Sequence, residues 1–98
     1  MSKTLEPIHP GEILKEDVLM PLNLTVRQLA KALNIGAPRL NDIVLGRRGI
    51  TADTALRLGR FLGTSAEMWV GLQSTYELRR ARQQNEKRIA REVKPNAA

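Results

Sequence analysis

The sequence predicts an all-α fold of five helices in which the C-terminal helix is extended. Helix-start signals recur at short intervals through the first 78 residues, and the apolar residues between them fall at helical spacing. The chain has only three aromatic residues, Phe61, Trp69 and Tyr76, so aliphatic side chains must fill the core, which suits packed helices better than a β-sandwich. A length of 98 residues allows one compact domain and is too short for two with separate cores.

The first element is written in "HPGEILKEDVL". Pro10 fits the first helical position, Glu12 sits in the first turn where the helix dipole favours a carboxylate, and Ile13, Leu14, Val18 and Leu19 supply an apolar stripe. A helix is expected from Pro10 to about Leu19, closed by Pro21. His9 reads as a polar residue before that helix, since no partner makes it half of a catalytic dyad.

In "LTVRQLAKAL", Thr25 with Gln28 three residues on makes a capping box, and Leu24 and Leu29 take the two positions of a hydrophobic staple. The second helix is expected from Val26 to about Leu33, with Asn34 in the left-handed conformation behind it. The third fills roughly Ala37 to Leu45 and stops at Gly46. Thr51 caps the fourth, which buries Ala55, Leu58, Gly59 and Leu62, turns Arg57 and Arg60 outward and ends at Gly63. Thr64 and Glu67, in capping-box register, start the fifth, which offers Trp69, Leu72 and Tyr76 to the core. Met68 and Trp69 at this spacing read as core or dimer interface and not as an aromatic ligand box.

Beyond Leu78 the composition changes. "RRARQQNEKRIAREVKPNAA" carries only isolated apolar side chains and cannot bury a stripe of its own. Two states are open to it: continuation of the fifth helix to about Val93, supported by pairs such as Arg82 with Glu86, or fraying. The chain thus divides into a flexible N-terminal arm over residues 1–8, a helical domain over 9–78 and a basic C-terminal helix or tail over 79–98.

Charge narrows the function. The net charge is +6, but residues 1–24 carry an acidic excess, whereas residues 25–60 hold seven Lys or Arg against Asp42 and Asp53. Concentrated positive charge of that kind suits a polyanion, most often nucleic acid. The chain has no cysteine and one histidine, so disulfides and multi-histidine or thiolate metal sites are not expected, nor is a cofactor. No nucleophile–base set or clustered acid pair marks an enzyme, and no catalytic residue is assigned. No apolar run reaches the roughly 18 residues that a bilayer requires, so no membrane partner is expected and the location is read as cytoplasmic.

Two short helices joined by a tight turn describe a helix-turn-helix, here at about residues 25–45, and its internal register can be checked. Counting from Val26, the fifth position needs a small residue where the helices cross, and Ala30 is there. The fourth, eighth, tenth, fifteenth and eighteenth need apolar residues and have Leu29, Leu33, Ile35, Leu40 and Ile43. The ninth needs a left-handed residue and has Asn34. A generic helical hairpin would not require the small residue and the turn in this register.

Together with "HPGEILKE", "LAKAL", "GITADTALRL", "GTSAEMWVGLQ" and "YELRRAR", the pattern resembles the λ-repressor-like helix-turn-helix (XRE) family and, more closely, antitoxins of the HigA/VapI type over residues 9 to about 82. The resemblance implies a homodimer that binds double-stranded DNA at an inverted-repeat operator, represses its own operon and neutralises a RelE/HigB-like mRNA-cleaving toxin. It would then be associated with the nucleoid when on its operator. The alternatives are a stand-alone λ-like repressor without a toxin, and an interaction module whose basic C-terminal helix binds RNA or an anionic membrane.

On that reading the third helix enters the major groove by its N-terminal end, so Ala37, Pro38, Arg39 and Asn41 are the candidates for base contact. Arg39 suits guanine, Asn41 suits adenine, and Ala37 with Pro38 suits a thymine methyl. Asp42 is awkward near phosphates unless it accepts from a cytosine or orients Arg39. Arg47 and Arg48, in a Gly-flanked loop, are expected on phosphate, as are Thr25 and Arg27 at the start of the second helix. Many λ-like domains place Gln at the first position of that helix to support base contacts. This chain has Val26 there, which leaves the supporting role absent or to Gln28.

Overall fold

His9 accepts the N–H of Gly11 on Nδ1 at 2.8 Å and so caps α1 (Pro10–Leu14), the first helix of a computed structural model that describes residues 6–96. The first five residues of the expected arm lie outside the described residues. The helix runs on without a break as a π-helical segment, Lys15–Leu19, in which Met20 N–H donates to the Lys15 carbonyl at 3.0 Å. Its extent agrees with the sequence reading but its winding does not. The wider π turn lets the consecutive Val18 and Leu19 both enter the core beside Leu14, which α-helical winding would splay apart.

Four further helices follow: α2 (Val26–Leu33), α3 (Ala37–Val44), α4 (Ala52–Leu62) and α5 (Ala66–Glu92). No strand occurs among the described residues. The capping box of α2 is complete, with Thr25 Oγ1 accepting from Gln28 N–H at 3.0 Å and Gln28 Oε1 accepting from Thr25 N–H at 2.9 Å. Asn34 is left-handed at φ 57°, and Ile35 N–H reaches back to the Ala30 carbonyl at 3.0 Å, closing a Schellman motif that aims the chain into α3. Gly46, at φ 79°, ends α3 the same way, with Arg47 N–H donating to the Asp42 carbonyl at 2.8 Å.

At the start of α5 the expectation is corrected. Ser65 is the N-cap, accepting from Met68 N–H at 3.1 Å, because the Thr64 hydroxyl is taken by the Trp69 indole N–H at 3.2 Å. Of the two states open to the tail, the structure takes the helix. α5 is 27 residues long, its buried residues are Trp69 and Gln73, and its residues from Leu78 to Glu92 are solvated apart from a half-buried Asn85. The ion pair on this stretch is Arg88–Glu92 at 3.7 Å instead of the expected Arg82–Glu86.

Leu14, Leu29, Leu40, Ile43, Ala55 and Leu58 are fully buried and form the centre of the core, with Ala30 and Leu33 beside them. Each large aliphatic residue there contributes about 1.5–3 kcal/mol by leaving water. The helix-turn-helix is held from behind by α1, where a Cβ on Gly11 would collide with the Ile43 carbonyl. That close crossing fixes the depth at which α3 sits.

Candidate nucleic-acid interface

The apolar positions of α3 turn Leu40 and Ile43 inward, which leaves Pro38 and Asn41 exposed on the opposite side. Ala37 is half-buried and packs against the core, and Arg39 is half-buried as well. Around this helix stand Thr25, Arg27 and Gln28 at the start of α2 and Arg47 and Arg48 in the turn after α3, all exposed. The Gln28 side-chain oxygen is committed to the capping box, and Val26 is half-buried against the core.

Arg39 does not stand free. Its Nη2 donates to Thr54 Oγ1 at 2.6 Å and approaches Asp53 Oδ2 at 3.4 Å and Thr51 Oγ1 at 3.5 Å, all on or at the start of α4. Asp42 therefore does not orient Arg39. Its carboxylate lies 4.0 Å from Arg47 Nη1, because the Schellman turn that binds the Arg47 N–H to the Asp42 carbonyl also brings the two side chains together.

Arg57 was expected to face away, yet it is half-buried, because its Nη1 donates to the carbonyls of Leu33 and Asn34 at 3.0 and 3.3 Å while its Nε donates to Asp53 Oδ2 at 2.8 Å. It thereby satisfies carbonyls left over at the end of α2 and ties the turn of the motif to α4. The Arg57 hydrogen bond, followed by the charges of Arg57 and Arg39, holds the Asp53 carboxyl below its ordinary value. The Asp53/Arg57 spacing of four residues was the available sequence signal.

The loop carrying Arg47 and Arg48 is held through its backbone. Gln73 of α5 is buried, its Oε1 accepts from Ile50 N–H at 2.9 Å, and its Nε2 donates to Glu77 Oε2 at 2.9 Å. Gly49 passes so close that a Cβ there would meet the Gln73 amide at 2.8 Å. His9 lies below the same loop with its ring edge-on to Tyr76, centroids 4.8 Å apart. Burial lowers the His9 pKa from its ordinary value, opposed by the Arg48 backbone carbonyl and the charge of Glu77. Tyr76 is thus a partly exposed contact to His9 and Arg80 and not a core residue. Gln73 was missed in the sequence, where its only mark is a polar residue four positions after Trp69 on the buried stripe.

The fold that carries this face is shared with known proteins. A family model described as helix-turn-helix matches residues 14–69. Virulence-associated protein I of Dichelobacter nodosus is 53% identical over 76 residues, covering 78% of this chain and 70% of the relative. The Pseudomonas aeruginosa antitoxin HigA, solved with the higBA promoter, superposes with a TM-score of 0.88 at 50% identity, covering 91% of this chain and 97% of that one. The antitoxin GraA in complex with its operator superposes with a TM-score of 0.90 at 39% identity over 100% of this chain and 99% of that one.

Proposed function

The chain belongs to the helix-turn-helix family, and we propose that it is a dimeric, sequence-specific DNA-binding antitoxin that represses its own operon and neutralises a RelE/HigB-like toxin. The observation that carries the DNA-binding half is a recognition helix whose outward side, Pro38 and Asn41, is flanked at both ends by exposed Arg27, Arg47 and Arg48. Similarity over nearly the full chain to antitoxins solved with promoter or operator DNA supports the same reading. No described helix is long and apolar enough to cross a membrane.

In this reading Arg39 and Asn41 read base edges, Ala37 and Pro38 supply apolar contact, and Thr25, Arg27, Arg47 and Arg48 hold phosphates, with Gln28 bracing the start of α2. A two-fold dimer presents two α3 helices to half-sites about one helical turn, roughly 34 Å, apart. Exposed Met68, with Ile13, Leu62 and Leu72, lines an open apolar groove between the first helix and α5 that is available to such a dimer.

The test is binding of the purified chain to its own upstream DNA and to random duplex at moderate salt. Preference for the upstream DNA is the expected result, and equal binding abolishes the repressor role. Coexpression with the neighbouring small open reading frame tests the other half: a stable complex that silences RNA cleavage supports the antitoxin, and its absence leaves a stand-alone repressor.

A further inference from the structure

Two arginines from different helices converge on one carboxylate at the edge of the recognition face. Asp53 Oδ2 accepts from Arg57 Nε at 2.8 Å and lies 3.4 Å from Arg39 Nη2. The shorter bond of Arg39, at 2.6 Å, goes to the hydroxyl of Thr54, which is fully buried and so is a fixed point. Arg57 is fixed from the other side by the carbonyls that end α2, so it cannot swing away with Asp53. Among the described residues every hydrogen bond of Arg39 passes through Nη2, which leaves the donors on Nε and Nη1 for an outside acceptor.

The two parts of this cradle have different physical effects. A phosphate attracts a guanidinium whatever the DNA sequence, and a carboxylate bonded to Arg39 offsets that attraction most on DNA where no matching base holds the guanidinium in place. A buried hydroxyl restricts where the remaining donors can be, and bidentate recognition of guanine O6 and N7 tolerates little misplacement. The first effect lowers indiscriminate binding. The second raises binding to one base pair.

We propose that Asp53 and Thr54 set the DNA specificity of this protein as positioning residues: Asp53, braced by Arg57, withholds Arg39 from the phosphates of arbitrary DNA, and Thr54 aims Arg39 at its base. The inference rests on the DNA-binding reading above. It assigns a function to two residues of α4 that need touch no base.

The test uses the full chain with Asp53→Asn, Asp53→Glu and Thr54→Val, each alone and combined with Arg39→Ala. Affinity is measured by fluorescence anisotropy across a salt series, on a duplex of the chain's own upstream DNA and on a random duplex of equal length. Asp53→Asn should tighten binding to random DNA, steepen its salt slope by about one unit and reduce the upstream-to-random ratio about five- to tenfold. Asp53→Glu should restore the slope. Thr54→Val changes no charge, so it should lower the ratio with the slope unchanged. In the Arg39→Ala background neither Asp53→Asn nor Thr54→Val should lower the ratio further.

Thermal melts confirm folding, and because Asp53 is exposed its variants carry the test even where Thr54→Val disturbs the core. An unchanged ratio in folded Asp53→Asn overturns the proposal, as does the same fall with and without Arg39. A wild-type chain that fails to discriminate the two duplexes overturns the repressor reading itself, and is recognised before any substitution is made.

Discussion

The two ends of α3 hold their arginines in opposite ways. At the N-terminal end the guanidinium of Arg39 is bound to α4 and its side chain is 32% exposed, whereas at the C-terminal end the side chain of Arg47 is 71% exposed. There the loop is fixed by its backbone instead, through Gln73 on Ile50 N–H and through the Schellman turn at Gly46. A restrained side chain can discriminate between bases, because misplacement has a cost. On the proposed reading, an exposed side chain on a restrained backbone suits phosphate, which is present at every step of any duplex.

The largest expected effect removes the support common to both ends. Leu40→Ala empties a fully buried site under α3 and should cost about 2–5 kcal/mol in urea denaturation. Binding to upstream and random DNA should then fail together; retained discrimination would show that the ends do not depend on one core. Gln73→Leu is next. It leaves the buried Ile50 N–H without its partner and should cost about 1–3 kcal/mol of stability. Affinity should fall on all sequences with the upstream-to-random ratio kept, and a selective loss on upstream DNA would break the division between the two ends.

The arginines themselves sharpen the contrast. Arg39→Ala should lose about 1–3 kcal/mol on the upstream DNA and relax preference at one base pair, as read by binding to single-base-pair variants. Arg47→Ala should weaken all duplexes alike and lower the salt slope by about one unit. Identical profiles for the two variants would contradict their assigned roles.

The smallest effect is titration beneath the loop. His9 binds its proton less readily in the fold than in the unfolded chain, because of burial. Between its lowered folded value and the ordinary value of 6.5 the unfolded state therefore holds more protons, and stability rises with pH. The contribution is complete above about 6.5 and is lost as pH falls through the folded value. Melting temperature should decline as pH drops below neutrality, and His9→Asn, whose Oδ1 can take the place of Nδ1 as the capping acceptor, should flatten that decline. A slope unaltered by the substitution would remove His9 from the account.

What local chemistry governs was legible in the sequence. The Thr25/Gln28 capping box, the left-handed Asn34, the stop at Gly46 and the inward Leu40 and Ile43 all follow from φ preferences, short hydrogen bonds and a 3.6-residue period. These suffice to make a short helix, a turn and a second helix with one apolar side. Arg27 and Asn41 could be named by the same reasoning, since a helix with its apolar side buried must present the other, and Arg47 and Arg48 by the Gly-flanked loop that holds them.

Only the tertiary structure decided which polar groups meet across elements. Arg39 and Thr54 are fifteen residues apart and Gln73 and Ile50 twenty-three, and no periodicity records such a pairing. Thr64 was legible as a cap until the Trp69 indole claimed its hydroxyl, and Arg57 as a surface charge until the carbonyls at the end of α2 came within reach. The π turn belongs here too, because α1 winds to suit the core it enters. A chain determines its own turns and caps within a few residues, but a side chain with several possible partners takes the one that packing brings near, and packing is a property of the whole domain.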